Sequence, residues 1–209
     1  MKKLFTTLLI LTGIYSVSNA QKKGAMAYGV SAGVNSAYSV SGADYASGTG
    51  SYIRPNFALH AEYYVSDDWS IKAEGIYDGK GWGDGVIKDN VNNKTVTGVN
   101  FALNYITIPV LATWHIGSEK LWYANAGPYV GILLSATDDY DHKDLKSQFN
   151  STDAGIDAGL GIQFPLSYKN DKLKIFFEYN WQFGAANILA NSSNSGTLMR
   201  QALSAGIRF

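Results

Sequence analysis

Three histidines, one acidic stretch and a set of charges spaced two residues apart are where this sequence offers chemistry. His60 stands two residues before Glu62, so on an extended chain both side chains share a face, within reach of acid/base work. The simpler expectation is a hydrogen-bonded, enclosed histidine. His115 falls near the end of an apolar run and is expected at an interface. His142 lies in Asp138-Asp139-Tyr140-Asp141-His142-Lys143-Asp144, whose oxygens suit a divalent cation in kind. Their spacing matches no ligand pattern, and a solvated loop is expected. Gly79-Lys80-Gly81-Trp82-Gly83-Asp84-Gly85 lacks the Lys-Ser/Thr ending and following helix of a phosphate loop. His-x-Ser does not occur, and the Gly-x-Ser-x-Gly at Gly29–Gly33 lies inside an alternating run rather than at a strand-to-helix turn. The residues thus point to no catalytic, cofactor or metal set, and a non-enzymatic protein is expected, with a lipid-A-modifying barrel enzyme as the catalytic alternative.

The most specific constellation is electrostatic. Glu62, Lys72, Glu74, Asp157, Lys174, Glu178, Arg200 and Arg208 all stand in the middle of alternating segments, on the polar phase. Four acids and four bases on one side of a wall are able to pair off. A closed polar plug is expected, because an unpaired buried charge is expensive; a switchable ion-pair gate along a narrow water path is the alternative.

The elements that carry these charges have a period of two. In Leu173–Phe183 the odd positions are Leu173, Ile175, Phe177, Tyr179, Trp181 and Phe183, against Lys174, Glu178, Asn180 and Gln182. That pattern is a strand with one apolar and one polar face, which no helix would keep apart. Met199–Phe209, Ala154–Phe164, Phe57–Val65 and Trp69–Tyr77 repeat it, and weaker versions run through Met26–Tyr38, Tyr105–Ile116 and Leu121–Leu134. Eight strands result. Short links at Ser66–Asp68, Gly117–Glu119 and Tyr168–Asp171 alternate with long stretches at Ser39–Arg54, Gly79–Asn100, Ser135–Thr152 and Gly184–Thr197. Short turns on one rim and long loops on the other mark an outer-membrane barrel. An even strand count puts both termini on the short-turn, periplasmic rim.

Residues 1–20 have the form of a cleaved export signal: Lys2 and Lys3, a mostly apolar run from Leu4 to Ile14, then Ser18-Asn19-Ala20 before Gln21. Cleavage is expected between Ala20 and Gln21, leaving 21–209 as one barrel domain. Without Lys2 and Lys3 the remaining 15 bases and 17 acids leave a net charge of −2, which excludes a basic field for nucleic acid. With no cysteine, disulfides play no part. After the signal no apolar stretch is long enough for a membrane helix, so a closed barrel is the spanning structure that remains. An eight-stranded barrel is just wide enough for side chains to fill, which puts the charges inside and the apolar phase against lipid. Tyr63, Trp69, Trp114, Trp122, Phe164 and Phe209 fall at the periplasmic strand ends on that phase. Phe57, Tyr77, Trp181 and Phe183 fall near the opposite ends, and two aromatic girdles follow. Pro109 and Pro128 interrupt the fourth and fifth strands and are expected at local bulges. The fold class is all-β, an eight-stranded antiparallel up-and-down transmembrane β-barrel.

Asn104-Tyr105-Ile106-Thr107-Ile108-Pro109-Val110, Ala126-Gly127-Pro128-Tyr129-Val130-Gly131, Asp157-Ala158-Gly159-Leu160-Gly161 and the terminal Phe209 resemble the PorT-like outer-membrane β-barrel proteins. The likeness spans the chain after residue 20, but its motifs are short and mark architecture. It implies an integral outer-membrane barrel, a proline in each of the two middle strands and, for some members, a place in secretion machinery. Phe209 resembles the carboxy-terminal signal read by the barrel-insertion machinery. Expected partners are outer-membrane lipid and lipopolysaccharide, that machinery, and secretion or other envelope proteins. The expected role is structural or interactive, with a small porin or a secretion accessory as alternatives.

Overall fold

A computed structural model describes residues 23–41, 50–89, 94–167, 170–190 and 195–209; the expected export signal with Ala20 and Gln21 lies outside them. Strand formation follows from the two-residue alternation, which gives each segment one face for solvent or lipid and one for an interior. Among the described residues eight strands form: β1 (Met26–Ser41), β2 (Tyr52–Tyr64), β3 (Trp69–Asp89), β4 (Lys94–Ile116), β5 (Trp122–Asp138), β6 (Thr152–Ser167), β7 (Asn170–Gly184) and β8 (Gly196–Arg208). They close into one barrel in chain order. Closure is made by β1 against β8, antiparallel from Gly29↔Arg208 to Ser41↔Gly196, and Tyr28 and Phe209 exchange backbone hydrogen bonds at 2.8 Å. Both ends of the barrel therefore meet on the rim that carries the short turns.

The apolar phase faces outward. Leu59 is 67 % and Ile156 60 % exposed, whereas Glu62 and Asp157 on the opposite phase are 0 % exposed. A soluble domain buries the first pair and solvates the second; this barrel does the reverse.

Two features depart from the sequence expectation. Residues 79–89 and 94–100, expected in a loop, belong to β3 and β4, which stay paired as far as Asp89↔Lys94. A strand needs only about 9–11 residues to span a bilayer, so this hairpin rises well past the membrane band. Its register shifts at Trp82, Gly85 and Val86. Gly81 takes a φ of +140° there, and a Cβ at that position would meet the Phe101 carbonyl oxygen at 1.9 Å. Nor are the prolines bulges. Pairing of β4 with β5 runs through Pro109↔Tyr129 to Ala112↔Ala126 without a change of register, and its shift lies at Asn104/Tyr105. β5 and β6 likewise pair through Pro128↔Ile156. A missing N–H at each proline removes a ladder bond without inserting a residue.

Candidate functional site

The inward positions of the strands converge on the lumen, where charged and polar side chains form three clusters. At the short-turn end Glu62 is the hub. Arg208 Nη2 approaches Glu62 Oε2 at 3.2 Å and His115 Nε2 lies 2.9 Å from Oε1. Ser70 Oγ donates to Glu62 Oε1 at 2.5 Å and lies 3.0 Å from His115 Nε2. Arg208 also donates to Gln163 Oε1 at 2.7 Å and lies over the Tyr123 ring at 5.2 Å. Gly161 makes room for that tyrosine: a Cβ on it would meet the Tyr123 ring at 2.1 Å.

Halfway up, Lys72 Nζ lies between two carboxylates, 2.8 Å from Glu178 Oε2 and 2.7 Å from Glu74 Oε1, and Asn125 donates to Glu178 at 3.2 Å. Above it Arg200 joins Asp78 at 3.1 Å and Asp157 at 3.6 Å. Asn180 and Gln182 donate to Asp157. Asn35 and Thr107 donate to Asp78, each at 2.8 Å. Lys80 then links Asp78 at 3.6 Å to Asp153 at 2.9 Å and sits over the rings of Tyr105 and Tyr129 at 5.2 and 4.8 Å. Between the second and third clusters is a cavity of about 20 Å³, lined by Ser31, Asn56, Glu74, Glu178, Arg200 and Ser204, which is room for about one water. The charges alternate in sign along the axis, so each is offset by a neighbour rather than by solvent.

At the long-loop end the lining turns apolar. Trp82, Phe101, Leu103, Tyr105, Leu133 and Leu198 from the strands pack with Leu145, Phe149 and Ile188 from two connections. Those connections are tied together. Phe149 and Leu189 form a β-bridge, Asn150 N donates to Ile188 O at 2.8 Å, and Ala190 N donates to Gln148 O at 3.0 Å. The β5–β6 connection is further held where Tyr140 N and Asp141 N donate to Asp138 Oδ1 at 3.0 and 2.9 Å. Burial works against ionisation of Asp138, but the backbone amides of Asp141 and Tyr140 outweigh it and hold the carboxyl below the usual carboxylate range.

Of the eight charges singled out in sequence, seven enter these ion pairs: Glu62 with Arg208, Lys72 with Glu74 and Glu178, and Arg200 with Asp157. Lys174 is buried on the same wall, in register with Arg208. Asp78, Lys80, Asp153 and His115 also belong to the clusters, outside that set of eight charges. His115 is 1 % exposed and stacks on Tyr64 at 5.1 Å, so it is a lumen residue and not an interfacial one. His60 and Glu62 share a face but do not bond. The His60 ring lies edge-on to Phe176 at 5.4 Å, and its Nε2 has no hydrogen-bond partner among the described residues. A group of three or more metal-ligating side chains is absent among the described residues.

On the outer face Tyr63, Trp69, Trp114, Trp122 and Phe164 are exposed toward the short-turn end, with Trp69 and Trp114 stacked at 6.1 Å. Phe57 and Tyr77, paired across β2 and β3, and Phe183 are exposed farther up. Trp181 and Phe209 are half-buried.

The profile of the outer membrane protein beta-barrel domain matches residues 19–189. Among solved structures, outer membrane protein OprG of Pseudomonas aeruginosa aligns with a TM-score of 0.54 at 11 % identity, covering 91 % of this chain and 99 % of that one. Neisserial surface protein A aligns with a TM-score of 0.51 at 16 % identity, covering 87 % and 97 %. At such identities the likeness is one of fold. No curated protein sequence matches the chain. An inverted barrel whose outer face is apolar, matched over most of its length by this profile, resides in the bacterial outer membrane. The chain belongs to the outer membrane protein beta-barrel domain family.

Proposed function

We propose that this protein is a sealed outer-membrane barrel that acts on other envelope components through its extracellular surface, and that it is not an enzyme. The observation that supports this reading is the lining of the lumen. Paired charges run along it from Glu62 up to Asp153, and Leu145, Phe149 and Ile188 pack together at its long-loop end. A porin needs an open aqueous path; this interior is occupied by side chains that form ion pairs with one another. The exposed aromatics seat the barrel in outer-membrane lipid and lipopolysaccharide as two girdles. Residues 1–20 serve for export, and Phe209 for recognition by the insertion machinery. What remains free for interaction is the loop platform and the tall β3–β4 hairpin.

The PorT-like character of Asn104–Val110 and Ala126–Gly131 supports a more specific form of this reading, an accessory barrel of a secretion system. Photo-crosslinking from a reactive residue placed at Tyr140, which is 52 % exposed in the β5–β6 connection, tests the interaction in native outer membranes. A discrete crosslinked partner is expected, and a secretion component among the products would support the accessory role. Absence of any crosslink there and on the hairpin would contradict an interaction role.

A further inference from the structure

At membrane depth the outward positions of β8 and its neighbours are apolar or aromatic with two departures, Ser36 on β1 and Gln201 on β8. Tyr179 Oη donates to Gln201 Oε1 at 2.6 Å. The Tyr179 ring is itself fixed against Trp181, edge to face, with centroids 4.4 Å apart. Only one end of the Gln201 amide is used: among the described residues its Nε2 has no acceptor. Beside this pair the outer wall is hollowed into a groove of about 150 Å³, lined by Val34, Ser36, Ile53, Tyr179, Gln201 and Leu203.

An amide N–H left without an acceptor beside hydrocarbon is costly. Gln201 lies eight residues from Phe209 along β8; at about 3.3 Å per residue and a tilt of about 40°, that puts it about 20 Å above the periplasmic rim. The apolar band of such barrels is about 25 Å tall. The amide thus lies just inside the outer interface, at the depth where acyl chains join the headgroups of the outer leaflet through carbonyl-bearing linkages. The groove beside it takes its aliphatic lining from Val34, Ile53 and Leu203.

We propose that the groove across β7, β8, β1 and β2 is a specific seat for one acyl chain of an outer-leaflet glycolipid, with Gln201 Nε2 donating to the carbonyl that links the chain to its sugar. Tyr179 positions the amide by occupying its oxygen, which leaves the nitrogen turned to the ligand. A bare slot would bind lipid indifferently; the single oriented donor sets the depth of the chain.

Native mass spectrometry of the full-length barrel, extracted from its own outer membrane in mild detergent, tests this. The wild type is expected to carry one glycolipid adduct. Gln201→Leu should lower its occupancy roughly threefold to tenfold, the worth of one neutral hydrogen bond. Leu203→Trp, which fills the groove and keeps the amide, should lower it as well. Unchanged heat-modifiable gel mobility would show that both variants are folded. Equal occupancy in wild type and both variants would overturn the proposal. So would an adduct of phospholipid mass, no adduct in the wild type, or a dimer of the chain that Gln201→Leu dissociates.

Discussion

At the scale of single residues, Arg200 is the most consequential side chain in the lumen. It is 3 % exposed and stands between Asp78 and Asp157, so its removal strands two carboxylates in an enclosed space. Arg200→Met should cost about 3–5 kcal/mol, the usual penalty for breaking a buried pair from one side. Urea unfolding of the barrel in lipid vesicles measures it, and a loss below about 1 kcal/mol would show that water already screens the site. Asp138 acts outside the membrane. Its carboxyl is held below the ordinary range by the Asp141 and Tyr140 amides. Its contribution to loop order is therefore present above the ordinary carboxylate pKa and lost as pH falls through the depressed one. Protection factors of the amides of residues 139–144, corrected for the intrinsic exchange rate at each pH, should fall in acid in the wild type and be low at every pH in Asp138→Ala.

At the scale of elements, the cap depends on two connections that bridge each other at Phe149 and Leu189. Phe149→Ser combined with Ile188→Ser removes two of its apolar contacts while leaving the strand ladders alone. External protease should then cut the β5–β6 and β7–β8 connections faster, with the heat-modifiable gel shift retained. Loss of that shift would mean the cap is needed for the barrel itself. The strands were legible because alternation survives any neighbour. Leu173–Phe183 announces its two faces without help, and the positions of Glu62, Glu178 and Arg200 follow from phase alone. The upper β3–β4 hairpin was not legible, for a physical reason. The inward set Asp78, Lys80 and Trp82 alternates with Gly79, Gly81 and Gly83, and glycine carries no apolar signal, so the stretch looks like a loop. Asp78 and Lys80 were missed with it. His115 was misplaced because its phase had to be judged at the end of a weakly patterned strand. The cap was invisible for another reason: its loop members come together through contacts between two separate connections, such as the Phe149–Leu189 bridge, which no local pattern encodes.

At the scale of the whole molecule, three levels agree. An apolar outer wall fits lipid, a charge-paired interior fits closure, and the structured extracellular end fits recognition by something outside the membrane. The family match explains the wall, and the lumen clusters explain why so narrow a barrel can hold so many ionised groups. Sealing is the claim on which the functional reading rests, because an open path would make transport the simpler account. The direct measurement is the current through planar bilayers containing the purified full-length protein. No stepwise conductance above the protein-free bilayer is expected from the wild type, with steps appearing only when the Arg200→Met and cap substitutions are combined. Reproducible ohmic steps from the wild type would contradict a sealed barrel.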